Sequence, residues 1–328
     1  MHLSMFPRLR RMKLKVRVFY VALWTTFVLL FVRVEFRYHL NDVIDLSAPA
    51  CACMSCVMDS QKDPWFREHY DGRVPKLMNR ANSNLSALTY NWWKKLQGFR
   101  AGNLGDVVEP LFSLFPDEEH YMDSSPDRCR TCAVVGNSAN LLRSHYGAII
   151  DAHNFVFRMN NAPTKGYESD VGAKTTHRAM YPESAVDLDN STHLVLMPFK
   201  LLDLQWLISA FTNKNITRTY KKVKATIKAN RDKVMIVNPE FIRYVYERWL
   251  KKQGKYPSTG FIMLMLALHI CDQVNVFGFG AGPNGRWYHY FDHWHHPLAN
   301  SGVHKGGVEY DTILKLEQHQ MIKMFKGW

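Results

Sequence analysis

The apolar positions of this chain fall into short runs separated by longer stretches of helical period. "AVV" (133–135), "FVFRM" (155–159), "HLVLM" (193–197), "KVMIV" (233–237) and "QVNVFGF" (273–279) are short and rich in β-branched or aromatic residues, and each predicts a strand. Gly136 breaks the first of them, and "SANLLRSHYG" (138–147) then predicts a short helix. "LLDLQWLISAF" (201–211) predicts an amphipathic one. The clearest helix signal is "NPEFIRYVYERWLKKQG" (238–254), with Asn238 as cap, Pro239 in the first turn and Gly254 at the end. "FIMLMLALHIC" (261–271) is apolar on every side and predicts a helix buried all round. Strands alternating with helices predict an α/β domain on a mainly parallel sheet. Such sheets bind ligands beyond the carboxyl ends of their strands.

Ahead of this pattern lies a different kind of segment. Val18 to Val32, "VFYVALWTTFVLLFV", is uncharged. It is shorter than the ~17–25 residues of most spanning helices. Snorkelling of Arg17 and Arg33 extends the span to Phe36, a length suited to a thin bilayer of the early secretory pathway. Residues 1–17 carry six basic side chains and no acid, which predicts a cytosolic N-terminus. A cleaved signal peptide is the competing reading, but no small-x-small site follows in "RVEFRYHL". The expected organisation is a tail at 1–17, a signal anchor at 18–36, a polar luminal stem at 37–62 and a globular domain at 63–328.

A luminal domain changes the reading of the cysteines. There are six, Cys51, Cys53, Cys56, Cys129, Cys132 and Cys271, an even number in an oxidising compartment. Disulfides are therefore expected, and the irregular spacings of "CACMSC" and "CRTC" make zinc the weaker reading. Sequons at Asn84, Asn190 and Asn215 agree with a luminal location. The formal net charge is +13, without the interleaving of basic and aromatic residues that single-stranded nucleic acid needs, so no nucleic-acid partner is expected. A basic surface suits an anionic substrate or membrane lipid, or is simply solvated.

Several residues are placed where chemistry happens. Asn137 and Asn160 each follow a strand, where an uncharged amide can hold a base, sugar or phosphate, or merely cap a turn. In "YPSTGF", Ser258 and Thr259 can cap the buried helix and Gly260 lets its backbone approach an anion at the helix N-terminus. Neither a Walker loop nor a dinucleotide fingerprint is present, so any phosphate belongs to a smaller nucleotide. "RWYHYFDHWHHP" (286–297) holds His289, His293, His295 and His296, in no recognised zinc spacing. Asp187-x-Asp189 runs into a sequon and reads as an exposed loop. In "GVHKGGVE" (302–309), Gly302, Gly306 and Gly307 leave space around His304, whose imidazole can be neutral and take a proton in a mildly acidic lumen. Glu309 is expected to hold that segment in place or to orient a basic side chain. No Gly-x-Ser-x-Gly elbow supports a Ser-His-Asp reading.

Four pieces stand in order: "CAVVGNSANL…FVFRMNNAPTKGYESDVGAKTTHR", "YPSTGFIMLMLALHICDQVNVFGFG", "HYFD" and "HKGGVE". Together they resemble the large, small, third and very-small motifs of the animal sialyltransferases, glycosyltransferase family 29. The resemblance runs from about residue 60 to the end, and the order of motifs is far more specific than any one of them. "NWWKKLQG", "DPWFREHYD", "AKTTHR" and "IKMFKGW" are most similar to the α2,3 branch acting on Galβ1-3GalNAc of core 1 O-glycans.

The resemblance implies a single GT-A-like, Rossmann-type domain with a mainly parallel sheet flanked by helices. It implies CMP-sialic acid as donor, no metal or other cofactor, and residence in the Golgi membrane as a single-pass type II protein, with release by stem cleavage left open. By resemblance, Asn137 and Asn160 contact the donor nucleotide. Ser258, Thr259, Gly260 and Gly280 lie beside CMP, and Trp287 lines the donor pocket. His289 faces the donor phosphate and His304 is the catalytic base. Tyr220 and Tyr256 lie near the sugars, and Gln97 and Tyr181 touch the acceptor. The implied disulfides are Cys132–Cys271, Cys53–Cys129 and Cys51–Cys56. "HWHHP" falls outside the shared pattern. Galactose-terminated O-glycans are the expected acceptors, with glycolipids or other galactosides as alternatives. Two other readings compete: a silent luminal lectin on the same fold, and a metal-dependent glycosyltransferase using Asp187-x-Asp189.

Overall fold

The computed structural model describes residues 19–35, 37, 50–98, 102–282, 285–292 and 303–327. Residues 19–35 are helical. Among the described residues no helix is long and apolar enough to cross a membrane. The ends of the expected anchor, the tail at 1–17 and positions 38–49 of the expected stem lie outside the described residues. A compact unit runs from Ala50 to Trp328 and is described here by itself. It begins ahead of the expected boundary at 63, because Cys51, Cys56 and Val57 are buried in it.

Seven strands form one sheet: β1 Thr131–Val135, β2 Phe155–Met159, β3 His177–Met180, β4 His193–Leu196, β5 Val234–Ile236, β6 Gln273–Phe277 and β7 Lys323–Phe325. Their order is β5-β4-β3-β2-β1-β6-β7, and every pairing is parallel. Five of the strands are those the apolar runs predict. β3 and β7 carry too few apolar residues to be read that way. β3 is "HRAM", yet all four residues are buried, because its polar side chains find partners. His177 lies between the Thr176 hydroxyl, at 2.8 Å, and the Tyr121 hydroxyl, at 2.6 Å. Arg178 donates to the carbonyls of Asn160 and Ala162, at 3.0 Å each.

Two expected helices come out differently. Within 138–147, Ala139–Leu141 makes a single 3₁₀ turn, and Gly147 opens a separate short helix to Asp151. The Asp170 carboxylate accepts from the backbone N–H groups of Arg143 and His145, at 2.8 and 3.1 Å, and so competes with a helix there. The helix from Pro239 is α-helical to Tyr244 and then widens to a π turn, Val245–Trp249, before Gly254 is reached. The helix Thr259–Ile270 is buried along nearly its whole length, as its uniform apolarity requires. It runs back across the sheet into β6, which puts its N-terminus at the carboxyl edge of the strands. The C-terminal helix Gly306–Gln318 feeds β7 in the same way and brings His304 to that edge.

The strand order reverses between β1 and β6, the place where parallel sheets open a crevice. The two backbones touch there: a Cβ at Gly136 would lie 2.2 Å from the Gly278 carbonyl oxygen. At the opposite edge Cys132 of β1 is bonded to Cys271. Cys53–Cys129 clips the start of the unit to the segment before β1, and Cys51–Cys56 closes a short loop within that start. Asn84, Asn190 and Asn215 are all exposed.

Candidate active site

A cleft of about 470 Å³ opens at the carboxyl edge, over the β1–β6 crevice. The residues assigned by resemblance to donor, acceptor and base, Gln97, Asn137, Asn160, Tyr181, Tyr220, Tyr256, Ser258, Thr259, Gly260, Gly280, Trp287, His289 and His304, all lie on its wall, together with Tyr288, Phe199 and Tyr310, which the sequence did not mark.

One end is built from strand ends and a helix N-terminus. Asn137 follows β1; its Nδ2 lies 3.5 Å from the Met159 carbonyl, and its buried Oδ1 accepts from none of the described residues. A buried acceptor left open on a cleft wall is a place for a ligand donor. Asn160 has a left-handed backbone (φ 54°), and its Oδ1 accepts from Ser184 at 2.9 Å. Gly260, in the first turn of the buried helix, faces Phe279, whose ring would lie 3.3 Å from any Cβ there. Gly280 (φ 94°) sits against Tyr310, which leaves no room for a side chain.

His289 is held by a short antiparallel pairing with the turn after β1. Ala139 donates to the Tyr288 carbonyl at 3.0 Å and Tyr290 to the Asn137 carbonyl at 2.9 Å, which sets His289 opposite Ser138. Tyr290 is buried on the other side, and its hydroxyl donates to the Pro163 carbonyl at 2.7 Å. This alternation is why "HYFD" carries one histidine to the cleft. Phe291 stacks on that imidazole with ring centroids 5.1 Å apart. Trp287 meets Tyr310 edge-on. His293, His295 and His296 lie outside the described residues. Among the described residues no group of three or more His, Cys, Asp and Glu is arranged to hold a metal ion. Asp187 is engaged by Lys224 and the Lys228 N–H, and Asp189 by Ser191 and Thr192.

His304 stands between the two ends. Its Nδ1 lies 2.9 Å from the Tyr256 carbonyl oxygen. A carbonyl only accepts, so Nδ1 carries the hydrogen and Nε2 the lone pair. The imidazole meets the Tyr256 ring edge-on at 4.9 Å, so it is more crowded than its glycine neighbours suggest. Burial pushes its pKa below the usual 6.5, against the pull of the Tyr256 carbonyl. Gly302 lies outside the described residues.

Glu309, one turn into the C-terminal helix, holds the segment in place. Its carboxylate accepts from the Ser258 N–H at 2.7 Å and from the Ser258 hydroxyl at 2.5 Å, which joins the starts of the two helices. The Ser258 hydroxyl accepts in turn from the Phe261 N–H at 3.2 Å. Burial pushes the Glu309 carboxyl up to about 7, although the Ser258 donors oppose the rise. The folded state therefore holds this proton more tightly than the unfolded chain does. That stabilisation is present below about pH 4.5 and is lost as pH rises through about 7. Glu309→Gln keeps the shape and the bond from the Ser258 N–H, turns the second contact into an amide donor to the Ser258 hydroxyl, and removes the titration. Relative to wild type it should gain ~1–3 kcal/mol in urea unfolding as pH rises through that window. A difference that does not vary with pH would contradict the burial argument.

The far end is aromatic. Tyr181, Phe199, Tyr220 and Tyr256 line it, and the Gln97 amide donates to the Tyr256 hydroxyl at 2.9 Å. Burial raises all three phenols, Tyr181 to about 12, so they remain donors at any luminal pH. Behind them lies a buried ion cluster that the sequence did not mark: Lys200 with Glu183 at 3.0 Å and Asp203 at 2.6 Å. The available signal was a lone lysine in "LVLMPFKLL".

Comparison with known proteins shows the family. The profile of glycosyltransferase family 29 (sialyltransferase) matches residues 77–321. The mouse CMP-N-acetylneuraminate-beta-galactosamide-alpha-2,3-sialyltransferase 2 is 44% identical over 280 residues, 84% of this chain and 80% of that protein. The chicken CMP-N-acetylneuraminate-beta-galactosamide-alpha-2,3-sialyltransferase 1 is 42% identical over 297 residues, 89% of this chain and 87% of that one. A crystal structure of a mammalian sialyltransferase superposes with a TM-score of 0.81 at 42% identity, covering 85% of this chain and 99% of that one. Another, in complex with Gal-beta-1-3GalNAc-ortho-nitrophenol, gives 0.79 at 42% identity, covering 85% of this chain and all of that one.

Proposed function

Because this chain belongs to glycosyltransferase family 29, the sialyltransferases, and is a CMP-sialic-acid-dependent β-galactoside α2,3-sialyltransferase, we propose that its acceptor is Galβ1-3GalNAc of O-glycans and that His304 is its general base. The observation that carries the base assignment is the Nδ1–H of His304 committed to the Tyr256 carbonyl. It leaves Nε2 as the basic nitrogen in a cleft, on an imidazole that burial keeps neutral. The acceptor reading is supported by a relative at 42% identity that holds a Galβ1-3GalNAc derivative.

In this reading the galactose 3-hydroxyl lies at the aromatic end beside His304. Nε2 takes its proton as the oxygen attacks the anomeric carbon of sialic acid, and the bond to the CMP phosphate breaks. Attack opposite the leaving group inverts the centre, from β-linked donor to α-linked product. The imidazolium formed keeps its hydrogen bond to the Tyr256 carbonyl, which disperses the new charge. The leaving phosphate carries one phosphoryl group, which a cationic His289 and the N-terminus of the buried helix can meet without a divalent ion. Asn137 and Asn160 take the nucleotide, and the open Oδ1 of Asn137 is the natural acceptor for one of its donors. Gly280 and Trp287 complete the donor wall. Gln97, Tyr181, Tyr220 and Tyr256 hold the galactoside.

We further propose that the unit works in the Golgi lumen as a type II membrane protein. The three disulfides and three exposed sequon asparagines support this.

The test uses the secreted unit from Ala50 onward with CMP-sialic acid in EDTA. Transfer to Galβ1-3GalNAc is expected, with kcat/KM at least about tenfold above that for Galβ1-4GlcNAc. Ganglioside-borne Galβ1-3GalNAc in the same panel separates glycolipid from glycoprotein acceptors. Loss of activity in EDTA, or the reverse preference, would overturn the proposal.

A further inference from the structure

Gln97 is half-buried and forms part of the wall of both the cleft and a second cavity of about 140 Å³, bounded by Lys200, Thr219 and Tyr220. Two polar contacts fix the ends of its amide. The Lys200 ammonium lies 2.8 Å from one end of the amide and can only donate, so that end is the oxygen. The other end is then the NH₂ group, 2.9 Å from the Tyr256 hydroxyl oxygen. The Tyr256 oxygen is thus an acceptor toward Gln97, and its own hydrogen is available for a donor bond in the cleft. The Tyr256 backbone carbonyl meanwhile fixes His304.

The same cluster reaches the other acceptor-side walls. Lys200 is only 7% exposed, and it lies 4.9 Å from the centre of the Tyr220 ring. Glu183, two residues after Tyr181, accepts from Lys200 and from the Thr219 hydroxyl, next to Tyr220. Asp203 also accepts from the Phe199 N–H at 2.9 Å. Its burial pushes the carboxyl up to about 7, with Lys200 opposing the rise.

We propose that Lys200, held by Glu183 and Asp203, is a positioning residue for the acceptor: it sets the Gln97 amide, and through it the donor direction of the Tyr256 hydroxyl. It acts through Gln97. The inference rests on the acceptor-end reading above.

The experiment compares two variants of the secreted unit. Lys200→Met/Glu183→Gln removes the ammonium with its counter-charge, leaves Asp203 to carry its proton, and preserves shape. Gln97→Glu keeps the Lys200 contact but cannot donate to Tyr256, so the hydroxyl turns inward. Both should raise the KM for Galβ1-3GalNAc by about tenfold or more. In the Lys200→Met/Glu183→Gln variant the KM for CMP-sialic acid, and its slow hydrolysis by water without acceptor, should stay at wild-type values. A merely structural role would move donor and acceptor constants together. A folded double variant with wild-type acceptor KM overturns the proposal. If the double variant does not fold, Gln97→Glu decides: wild-type acceptor KM there overturns it equally. Gln97→Ala shifting the donor KM instead of the acceptor KM would sink the acceptor-end reading itself.

Discussion

Replacing His304 with alanine should leave a folded protein that binds CMP and transfers sialic acid ~10²–10⁴-fold more slowly. The galactose 3-hydroxyl is a weak nucleophile until its proton leaves, and a base positioned to take that proton lowers the barrier only in the transition state. The loss should therefore appear in kcat, with calorimetric affinity for CMP at the wild-type level. His304→Asn separates two roles of the ring. An asparagine amide can still donate to the Tyr256 carbonyl, as Nδ1–H does, but offers no basic nitrogen. Slow transfer in both variants identifies proton removal as what is lost. Recovery in the asparagine variant would mean that His304 only holds Tyr256. The pH dependence has a defined sign: because burial lowers the imidazole pKa, kcat/KM for the acceptor should stay level as pH falls through 6.5 and decline only below it.

Removing the Cys132–Cys271 bridge should have the largest effect on stability. The two residues are separated by 139 positions, against 5 for Cys51–Cys56. Loop-closure entropy alone favours the longer bridge by about 3 kcal/mol. Cys132→Ala/Cys271→Ala should cost ~2–5 kcal/mol in denaturant unfolding, and Cys51→Ala/Cys56→Ala far less. Both cysteines of the long bridge are buried, at the edge of the sheet away from the cleft, where β1 and β6 begin their pairing. Once folded, the variant keeps the Gly136–Gly278 contact at the other end of those strands, so kcat per folded molecule should be unchanged. Equal losses from the two double variants would contradict the loop-length argument.

Periodicity reached as far into this fold as apolar burial did. β1, β2, β4, β5 and β6 were legible because most of their side chains are apolar and buried, with Arg158 of β2, His193 of β4 and Gln273 and Asn275 of β6 among the exceptions. β3 was not, because His177 and Arg178 are buried through hydrogen bonds to groups distant in sequence, which no local pattern reports. The helix expected after β1 failed for a related reason: the carboxylate that unwinds it, Asp170, lies more than twenty residues on. On the cleft wall the motifs marked Asn137, Asn160, Ser258, Thr259, Gly260, Gly280, His289 and His304, all of which line it. What they could not mark is what holds those residues. Glu309 was legible as a brace for its segment, though its partner Ser258 was not. Lys200, Glu183 and Asp203 had no motif at all, and their meaning appears only when Gln97, Tyr181 and Tyr220 are seen to meet over them.

The central claim, that His304 is set as a base before any substrate arrives, is open to direct measurement. In the secreted unit labelled with ¹⁵N-histidine, the imidazole nitrogens of His304, assigned by comparison with His304→Asn, report both tautomer and titration. The expected result is the neutral Nδ1–H form at pH 6.5 and a pKa below 6.5. An Nε2–H tautomer, or an imidazole already protonated at that pH, would contradict it.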